Sequence, residues 1–330
     1  MDSPIFQFSV AAAAIALLGT LLVRLADRLA DASGWSRAFI GSIFLAGATS
    51  LPELVVDLRA VRAGQPDLAV GDLLGSSLFN LLILAILDTA FGQPRRTFTG
   101  DFSAHARSAV LSIQLSAVVG IGLLGGVGGV FFGVGSILWA VVPIYLVAAR
   151  EQFPDAAAPE TIARAAPSAR VVLRFIATIA GCAAGIAIAS PFLIEAADAI
   201  AVQSGLAHGF IGTTLVALST SLPELVATFV AFRMGSPELA LGNILGSNTF
   251  NMTLLFPLDA VDPGSLLNEV SPSHALTAFC VIVTSSIAVM GQISRRQRRN
   301  GRFEPSSAMV ILVSLAFLAL LWRRSAGPTV

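Results

Sequence analysis

The stretch FIGSIFLAGATSLPELVVDLRAVRAGQPDLAVGDLLGSSLFN, residues 39–80, occurs a second time in the chain. The copy, FIGTTLVALSTSLPELVATFVAFRMGSPELALGNILGSNTFN, occupies residues 210–251, so corresponding residues lie 171 positions apart with no gap. Of the 42 positions 23 are identical, and the identities include Pro, Glu, Gly, Ser and Asn. Shared composition alone would match mainly Leu and Ala, so the chain contains a duplicated unit.

The rest of the chain has the composition of a membrane protein. Hydrophobic residues make up 55% of its 330 residues and charged residues only 12%, with a mean hydropathy of +0.82. Soluble domains carry about 25% charged residues, whereas a bilayer helix needs about 20 apolar ones. The apolar runs are long and continuous, unlike the short alternating segments of a β-barrel. We therefore predict an all-α polytopic membrane protein with ten transmembrane helices, at residues 5–23, 38–61, 67–90, 106–124, 127–149, 171–197, 209–232, 238–258, 273–293 and 306–323.

The arginines predict the orientation of these helices, since the chain has no lysine. Sixteen of the 20 lie on the side that holds the loops after spans one, three, five, seven and nine. The other side holds Arg59, Arg62, Arg323 and Arg324. Basic residues favour the cytoplasmic side, so both termini are expected on the non-cytoplasmic side of the cell membrane. No positive charge precedes the first span, which favours a retained helix over a signal peptide.

Each half of the chain contains five of the predicted spans. Residues 1–149 form the first half, residues 150–170 a cytoplasmic linker, and residues 171–330 the second half. Because five is odd, the second copy enters the membrane from the opposite side to the first. Inverted repeats of this kind are typical of secondary transporters, whose substrate sites lie near the bilayer midplane between the repeats.

The duplicated unit carries its polar residues in two motifs, TSLPE and GSxxFN. In the first motif Thr49 and Ser50 share a helix face with Glu53, being four and three residues away. Pro52 removes a backbone hydrogen bond and frees the carbonyl of Ala48. At about 1.5 Å per residue, Glu53 and the second-motif Ser76 both lie roughly 14 Å from the turn between their helices. The polar positions are Thr49, Ser50, Glu53, Ser76 and Asn80, matched by Thr220, Ser221, Glu224, Ser247 and Asn251.

These residues indicate a site for a hard cation. A carboxylate at mid-bilayer costs several kcal/mol unless it is paired or solvated, and no arginine lies at this level in the predicted spans. Every side-chain ligand candidate is an oxygen, which suits Ca²⁺ with its six to eight oxygen ligands. Transition metals would favour His or Cys. The structural alternative is a pair of protonated glutamates hydrogen-bonded to Ser and Asn.

On these motifs the sequence resembles the sodium/calcium exchanger branch of the cation/calcium antiporter superfamily, as a prokaryotic-type ten-span member. The resemblance is close over the two 42-residue repeats, which match in order and spacing. It implies that Glu53 and Glu224 coordinate Ca²⁺ together with the backbone carbonyls of Thr49 and Thr220. It also implies sodium sites lined by Ser50, Ser221, Ser76 and Ser247 and by the carbonyls of Ala46 and Ala217. Asn80 and Asn251 belong to the same layer, and both are neutral where some relatives carry Asp at the second position.

The function expected from this resemblance is exchange of Ca²⁺ for Na⁺ by alternating access, with the first and sixth spans sliding across the other helices. The expected partners are Ca²⁺, Na⁺ and the lipid bilayer; we expect a monomer, with neither nucleic acid nor a resident cofactor. Coupling to H⁺, or transport of another divalent cation, stays open as an alternative with the same fold. A passive cation channel is a further alternative. An enzyme is not expected, since no HExxH zinc motif is present.

Two more acidic residues lie near the first motif. Asp57 is one helical turn beyond Glu53, and the second repeat has Thr228 there. Two interpretations stay open for Asp57, the lining of an outer vestibule or a polar pocket. Asp72, equivalent to Asn243, is interpreted as a helix-packing hydrogen-bond partner nearer the membrane surface.

Overall fold

A computed structural model describes residues 3–91, 102–125, 129–152, 169–203, 218–262, 264–297 and 305–325 of the chain. The first half contains α1 (Pro4–Ser33), α2 (Arg37–Phe39), a π-helical segment (Ile40–Leu45), α3 (Ala46–Thr49), α4 (Leu51–Arg62), α5 (Pro66–Phe91), α6 (Phe102–Leu123), strands β1 (Val130–Phe131) and β2 (Val134–Gly135), a 3-10 helix (Ser136–Ala140) and α7 (Val141–Gln152). The second half contains α8 (Ala169–Gln203), α9 (Leu222–Arg233), α10 (Pro237–Val261), α11 (Leu266–Glu269), α12 (His274–Gln297) and α13 (Pro305–Ser325).

The all-α membrane fold is confirmed. Among the described residues, six helices are long and apolar enough to cross a bilayer, and two shorter apolar helices, Ser136–Arg150 and Pro305–Leu321, accompany them. The number of ten spans stays a prediction, as does the division into two halves with a linker. Most predicted spans coincide with helices to within a few residues, although α1 continues ten residues past the predicted end. Residues 209–217 of the seventh span and 153–168 of the linker lie outside the described residues.

The predicted fifth span, 127–149, is wrong in its first part. Residues Val130–Gly135 form a small antiparallel hairpin, and the helical segment begins only at Ser136. Gly133 adopts a left-handed conformation with φ 76° in the turn, which a side chain would disfavour. The Asp259 carboxylate holds the hairpin end, accepting hydrogen bonds from the Gly135 N–H at 2.5 Å and the Leu266 N–H at 2.6 Å. Apolar composition alone did not distinguish this hairpin from a helix end.

The helix that carries the first TSLPE motif is broken at Ser50. This residue has φ −89° and ψ 2°, and α4 begins directly after it with Pro52 in its first turn. The second repeat is broken at the equivalent Ser221, with φ −80° and ψ 4°. Proline lacks an N–H and is tolerated in the first turn of a helix, so the Leu-Pro pair after each serine starts a new helix.

The two longest helices pack against each other at the side of the molecule. α1 and α8 lie along each other, α1 contacts α9, and α8 contacts α4. Each long helix therefore touches the glutamate-bearing helix of the other repeat. By contrast, α5, which carries Ser76 and Asn80, is central: 83% of the residues in its most apolar stretch are buried.

Helix α10 approaches the broken helix of the first repeat backbone to backbone. A Cβ atom added at Gly242 would lie 2.9 Å from the Ala38 carbonyl oxygen, and one at Gly246 would lie 2.5 Å from that of Ser42. Gly41 faces them, with a Cβ there 2.8 Å from the Leu239 carbonyl oxygen. Small residues allow this close approach in membranes. As a result, the second GSxxFN motif lies directly against the first TSLPE motif.

Candidate cation site

The two motif glutamates begin equivalent helices in the protein interior. Glu53 lies in the first turn of α4 and Glu224 in the first turn of α9, each directly after the break at Ser50 or Ser221. Both side chains are 0% exposed. The N-terminal turn of a helix presents unpaired N–H groups and partial positive charge, which stabilises a carboxylate there. The break and the proline thus place a charged group where a continuous apolar helix would not hold one.

Hydrogen bonds from both repeats converge on one oxygen of Glu224. The Ser50 hydroxyl of the first repeat and the Ser247 hydroxyl of the second each donate to Glu224 Oε1 at 3.4 Å. Both distances are long for hydroxyl donors, so these bonds are weak. Ser50 and Glu224 come from different repeats, so the two TSLPE motifs meet at one site, as the inverted-repeat prediction requires.

The threonines of the two motifs make equivalent contacts across the repeat boundary. Thr49 Oγ1 donates to Asn243 Oδ1 at 3.2 Å and lies 3.4 Å from Ser247 Oγ. In the other half, Thr220 Oγ1 donates to an Asp72 oxygen at 2.9 Å and lies 3.4 Å from a serine hydroxyl, that of Ser76. All four contacts obey the offset of 171 residues. The site is therefore built by two copies of one arrangement that face each other.

The two motif asparagines use their amide nitrogens to hold the central helices together. Asn80 Nδ2 donates to Asn248 Oδ1 at 3.0 Å. Asn251 Nδ2 donates to the Leu73 carbonyl oxygen and to Ser77 Oγ, each at 3.3 Å. The Oδ1 atoms of Asn80 and Asn251 are buried and accept no hydrogen bond. With the amides oriented in this way, each asparagine keeps a free oxygen.

Several buried oxygens of the site accept no hydrogen bond from any residue that the structure describes. These atoms are both carboxylate oxygens of Glu53, the Oε2 atom of Glu224 and the Oδ1 atoms of Asn80 and Asn251. A buried polar atom without a partner costs about 1–3 kcal/mol, and more when it is charged. A hard cation bound among these atoms would offset that cost. The described residues contain no cluster of three or more His, Cys, Asp or Glu side chains arranged around a metal, so neutral oxygens would complete the shell around the two glutamates.

The structure brings together most of the predicted site residues. The side chains of the two glutamates, two threonines, four serines and two asparagines are all buried in this layer. The Ala46 carbonyl oxygen already accepts hydrogen bonds from the Ser50 N–H at 2.9 Å and from Thr49 Oγ1 at 3.2 Å. As a sodium ligand it would have to release one of them. Ala217 lies outside the described residues.

Asp72 makes a helix-packing hydrogen bond of the kind expected from the sequence, and its partner belongs to the site. Its carboxylate accepts a hydrogen bond from the Thr220 hydroxyl at 2.9 Å. The sequence alone did not identify this partner, which depends on the register between the repeats: Asp72 is equivalent to the asparagine that Thr49 contacts.

Comparison with known proteins agrees with this architecture. The sequence profile of the family described as "Sodium/calcium exchanger protein" matches residues 3–149 and 174–327, nearly the whole chain. The chain belongs to the sodium/calcium exchanger family. As a member of this family it is an integral membrane protein and a cation/calcium antiporter, and its relatives are transporters.

Individual relatives of this exchanger cover most of its length. Inner membrane protein YrbG of Escherichia coli is 29% identical over 96% of this chain and 90% of its own. Putative antiporter CaxA of Alkalimonas amylolytica is 28% identical over 81% and 84%. Sodium/calcium exchanger MaX1 of Methanosarcina acetivorans is 32% identical over a shorter part, 44% of this chain and 39% of its own.

A solved structure has the same fold as this exchanger. The sodium-calcium exchanger NCX_Mj, soaked with 10 mM Na⁺, superimposes with a TM-score of 0.74 at 18% identity. The superposition covers 96% of this chain and 98% of the other. The fold class predicted from the duplicated unit is thereby confirmed.

Proposed function

We propose that this exchanger transports Ca²⁺ in exchange for Na⁺ and binds both at the layer around Glu53 and Glu224. The observation that carries the proposal is the pair of fully buried glutamates, three of whose four carboxylate oxygens accept no hydrogen bond from the described residues. A buried charge requires a counter-charge, and Ca²⁺ supplies one with the oxygen preference that this site satisfies.

The ligand roles follow from where each oxygen lies. Glu53 and Glu224, with the Thr49 and Thr220 carbonyls, would hold Ca²⁺. Four serine hydroxyls that already make contacts across the repeats would turn toward Na⁺ when the divalent ion has left. These are Ser50, Ser221, Ser76 and Ser247, and the Ser221 hydroxyl donates to Ser76 Oγ at 3.1 Å. Asn80 and Asn251 contribute their free amide oxygens.

Transport requires that a site closed to solvent opens to each side in turn. Both glutamates are buried, so the described conformation admits no ion from water without a movement. The α1–α8 pair is suited to that movement, because it packs at the side of the bundle and contacts both glutamate-bearing helices. Only 22% of the residues in the most apolar stretch of each of these two helices are buried, so both helices face mainly lipid. We propose that they slide across α4 and α9, with the termini outside the cytoplasm.

The coupling ion is tested in proteoliposomes of the purified protein with the membrane potential clamped. One set carries an outward Na⁺ gradient, and the other carries a pH gradient without Na⁺. We expect Ca²⁺ uptake in the first set only. Uptake driven only by the pH gradient would assign the protein to proton-coupled exchange with the same fold. Uptake that needs no counter-ion gradient would identify a channel.

The site itself is tested by replacing either motif glutamate with glutamine. Glu53→Gln or Glu224→Gln keeps the shape of the side chain and removes its charge, so we expect Ca²⁺ transport to fall to background while the protein stays folded. Glu195→Gln makes the same change on an exposed glutamate of α8 and is expected to transport as the unmodified protein does. Folding is checked by gel filtration and thermal unfolding in detergent. Normal transport by Glu224→Gln would refute the site assignment.

A further inference from the structure

The two repeats differ in charge at one pair of equivalent positions beside the exchange site. In the second repeat Asn243 Nδ2 donates to Thr228 Oγ1 at 3.1 Å, and both side chains are fully buried. The first repeat has Asp72 and Asp57 at these positions, 7% and 0% exposed. A neutral hydrogen-bonded pair in one repeat is thus replaced by two acidic side chains in the other.

Among the described residues, the two aspartates have no partner that would neutralise them. Neither carboxylate oxygen of Asp57 accepts a hydrogen bond, and neither does Asp72 Oδ2. Asp72 Oδ1 accepts only the Thr220 hydroxyl, at 2.9 Å. The equivalents of the two aspartates in the second repeat are in hydrogen-bond contact, so the repeated architecture places Asp57 beside Asp72. The ion pairs that Arg37 and His274 form in the described part of the chain do not include either aspartate.

The pair lies on one side of the exchange site. A turn at residues 63–65 joins the end of α4 to the start of α5. Asp57 is five residues before the end of α4, and Asp72 is six residues after the start of α5. At about 1.5 Å per residue both are roughly 8–9 Å along their helices from that turn, whereas Glu53 is about 14 Å from it. The two aspartates therefore lie between Glu53 and the turn at residues 63–65. The equivalent neutral pair lies beside the turn of the inverted repeat, toward the opposite side of the membrane.

We propose that Asp57 and Asp72 bind a second hard divalent cation, Ca²⁺, on the path between the 63–65 turn and the exchange site. This inference rests on the proposed function, since it adds an access site to the Glu53 and Glu224 layer. Two carboxylates match the charge of a divalent ion and offer up to four oxygens, with water completing the six to eight that Ca²⁺ takes. In the second repeat the equivalent positions are the neutral Thr228 and Asn243, which are hydrogen-bonded to each other, so the described residues offer no equivalent carboxylate pair there. Ca²⁺ entering from the face of the 63–65 turn therefore passes this access site, whereas Ca²⁺ entering from the other face does not.

Binding to purified protein in detergent counts the sites without requiring transport. Calcium is titrated calorimetrically, and Tb³⁺ luminescence serves as a second probe for hard-cation sites. We expect two Ca²⁺ per protein, one of which survives in the Glu53→Gln/Glu224→Gln double variant. The Asp57→Thr/Asp72→Asn double variant, which installs the neutral pair that the second repeat already uses, is expected to lose that surviving ion and to keep the one bound at the glutamates. It should fold, because its new side chains can form the hydrogen bond seen between Thr228 and Asn243.

Sidedness is measured in proteoliposomes with the protein inserted in one orientation. The Asp57→Thr/Asp72→Asn variant is expected to need at least tenfold more Ca²⁺ for half-maximal uptake from the face of the 63–65 turn. Uptake from the other face keeps its calcium dependence. Asp67→Asn removes an exposed carboxylate at the same end of α5 and controls for general surface charge. We expect it to shift half-saturation by less than the pair variant does.

The results separate this inference from the proposed function. If the glutamate double variant binds no Ca²⁺, or if the aspartate variant binds as much as the unmodified protein, Asp57 and Asp72 hold no divalent ion and the inference fails. A loss of affinity of equal size from both faces would also overturn it. Failure of the proposed function would instead show as transport that persists in Glu53→Gln and Glu224→Gln, whatever the aspartates bind.

Discussion

Asn251 shows how one neutral side chain combines a structural role with a free ligand atom. Its amide nitrogen bonds to the Leu73 carbonyl oxygen and to Ser77 Oγ, while its buried oxygen has no partner. The side-chain amide of asparagine supplies both a donor and an acceptor without charge. Its equivalent, Asn80, divides its two atoms in the same way. The layer therefore keeps its helices bonded to one another whether or not a cation is present.

Replacing Asn251 with Asp tests that division. The carboxylate has no N–H for Leu73 and would face its carbonyl oxygen, so we expect a lower unfolding temperature in chelator. Ca²⁺ should restore much of the loss, because the added charge strengthens cation binding, and ion coupling or its pH dependence should change. Asn251→Ala removes the same donors without adding charge, and its unfolding temperature should stay low in Ca²⁺. Thermal unfolding in chelator and in Ca²⁺, for both variants, would decide; an Asp variant that behaves as the Ala variant does would place Asn251 away from the cation.

At the level of single residues, the sequence predicted the layer but not all its contacts. The duplicated motifs identified Glu53 and Glu224 because a buried carboxylate without an arginine is rare and is repeated at the same spacing. Helix counting could not show that Thr220 would reach Asp72, since that contact depends on how the two repeats dock. For the same reason the sequence could not decide between the two interpretations of Asp57, an outer vestibule or a polar pocket.

At the scale of helices and strands, the predicted spans are recovered where the chain is apolar and continuous. The interruptions are harder to predict from sequence, because Ser50 and Ser221 leave the helical conformation only in combination with the proline two residues later and with the packing around them. The π-helical segment Ile40–Leu45 had no recognised signal. It lies where α10 presses against the chain, with Gly242 and Gly246 at the contact. The segment therefore coincides with a contact between the repeats, which the sequence of one repeat alone does not show.

Gly246 is the position where the packing of α10 can be tested. An alanine Cβ there would lie 2.5 Å from the Ser42 carbonyl oxygen and 2.7 Å from the Ala46 Cβ, so α10 must move away from the first TSLPE motif. Overpacking of this kind costs about 1–3 kcal/mol, and we expect Gly246→Ala to lower both the unfolding temperature and the transport rate. Gly181→Ala on α8, where a Cβ meets nothing within 4 Å, is the matched control. Equal behaviour of the two variants would show that the close approach is unimportant.

At the scale of the whole molecule, the inverted repeat has a consequence that can be measured at two equivalent residues. Ala63 and Met234 follow the last turns of α4 and α9 and are 171 positions apart. Ala63 is exposed, and Met234 is 39% exposed. Residues that are equivalent in two oppositely inserted units must lie on opposite faces of the membrane. The arginine distribution further predicts that Ala63 faces outside and Met234 the cytoplasm.

Cysteine labelling of these two positions tests inversion and orientation together. The native Cys182 and Cys280 are buried and give a low background with a membrane-impermeant maleimide, which the unmodified protein measures. We expect Ala63→Cys to be labelled in intact cells and Met234→Cys only after the membrane is permeabilised. Labelling of both from the same face would contradict the inverted repeat. The reverse pattern would agree with the inverted repeat but would reverse the predicted orientation in the membrane. Asp57 and Asp72, with the Ca²⁺ site proposed there, would then lie toward the cytoplasmic side.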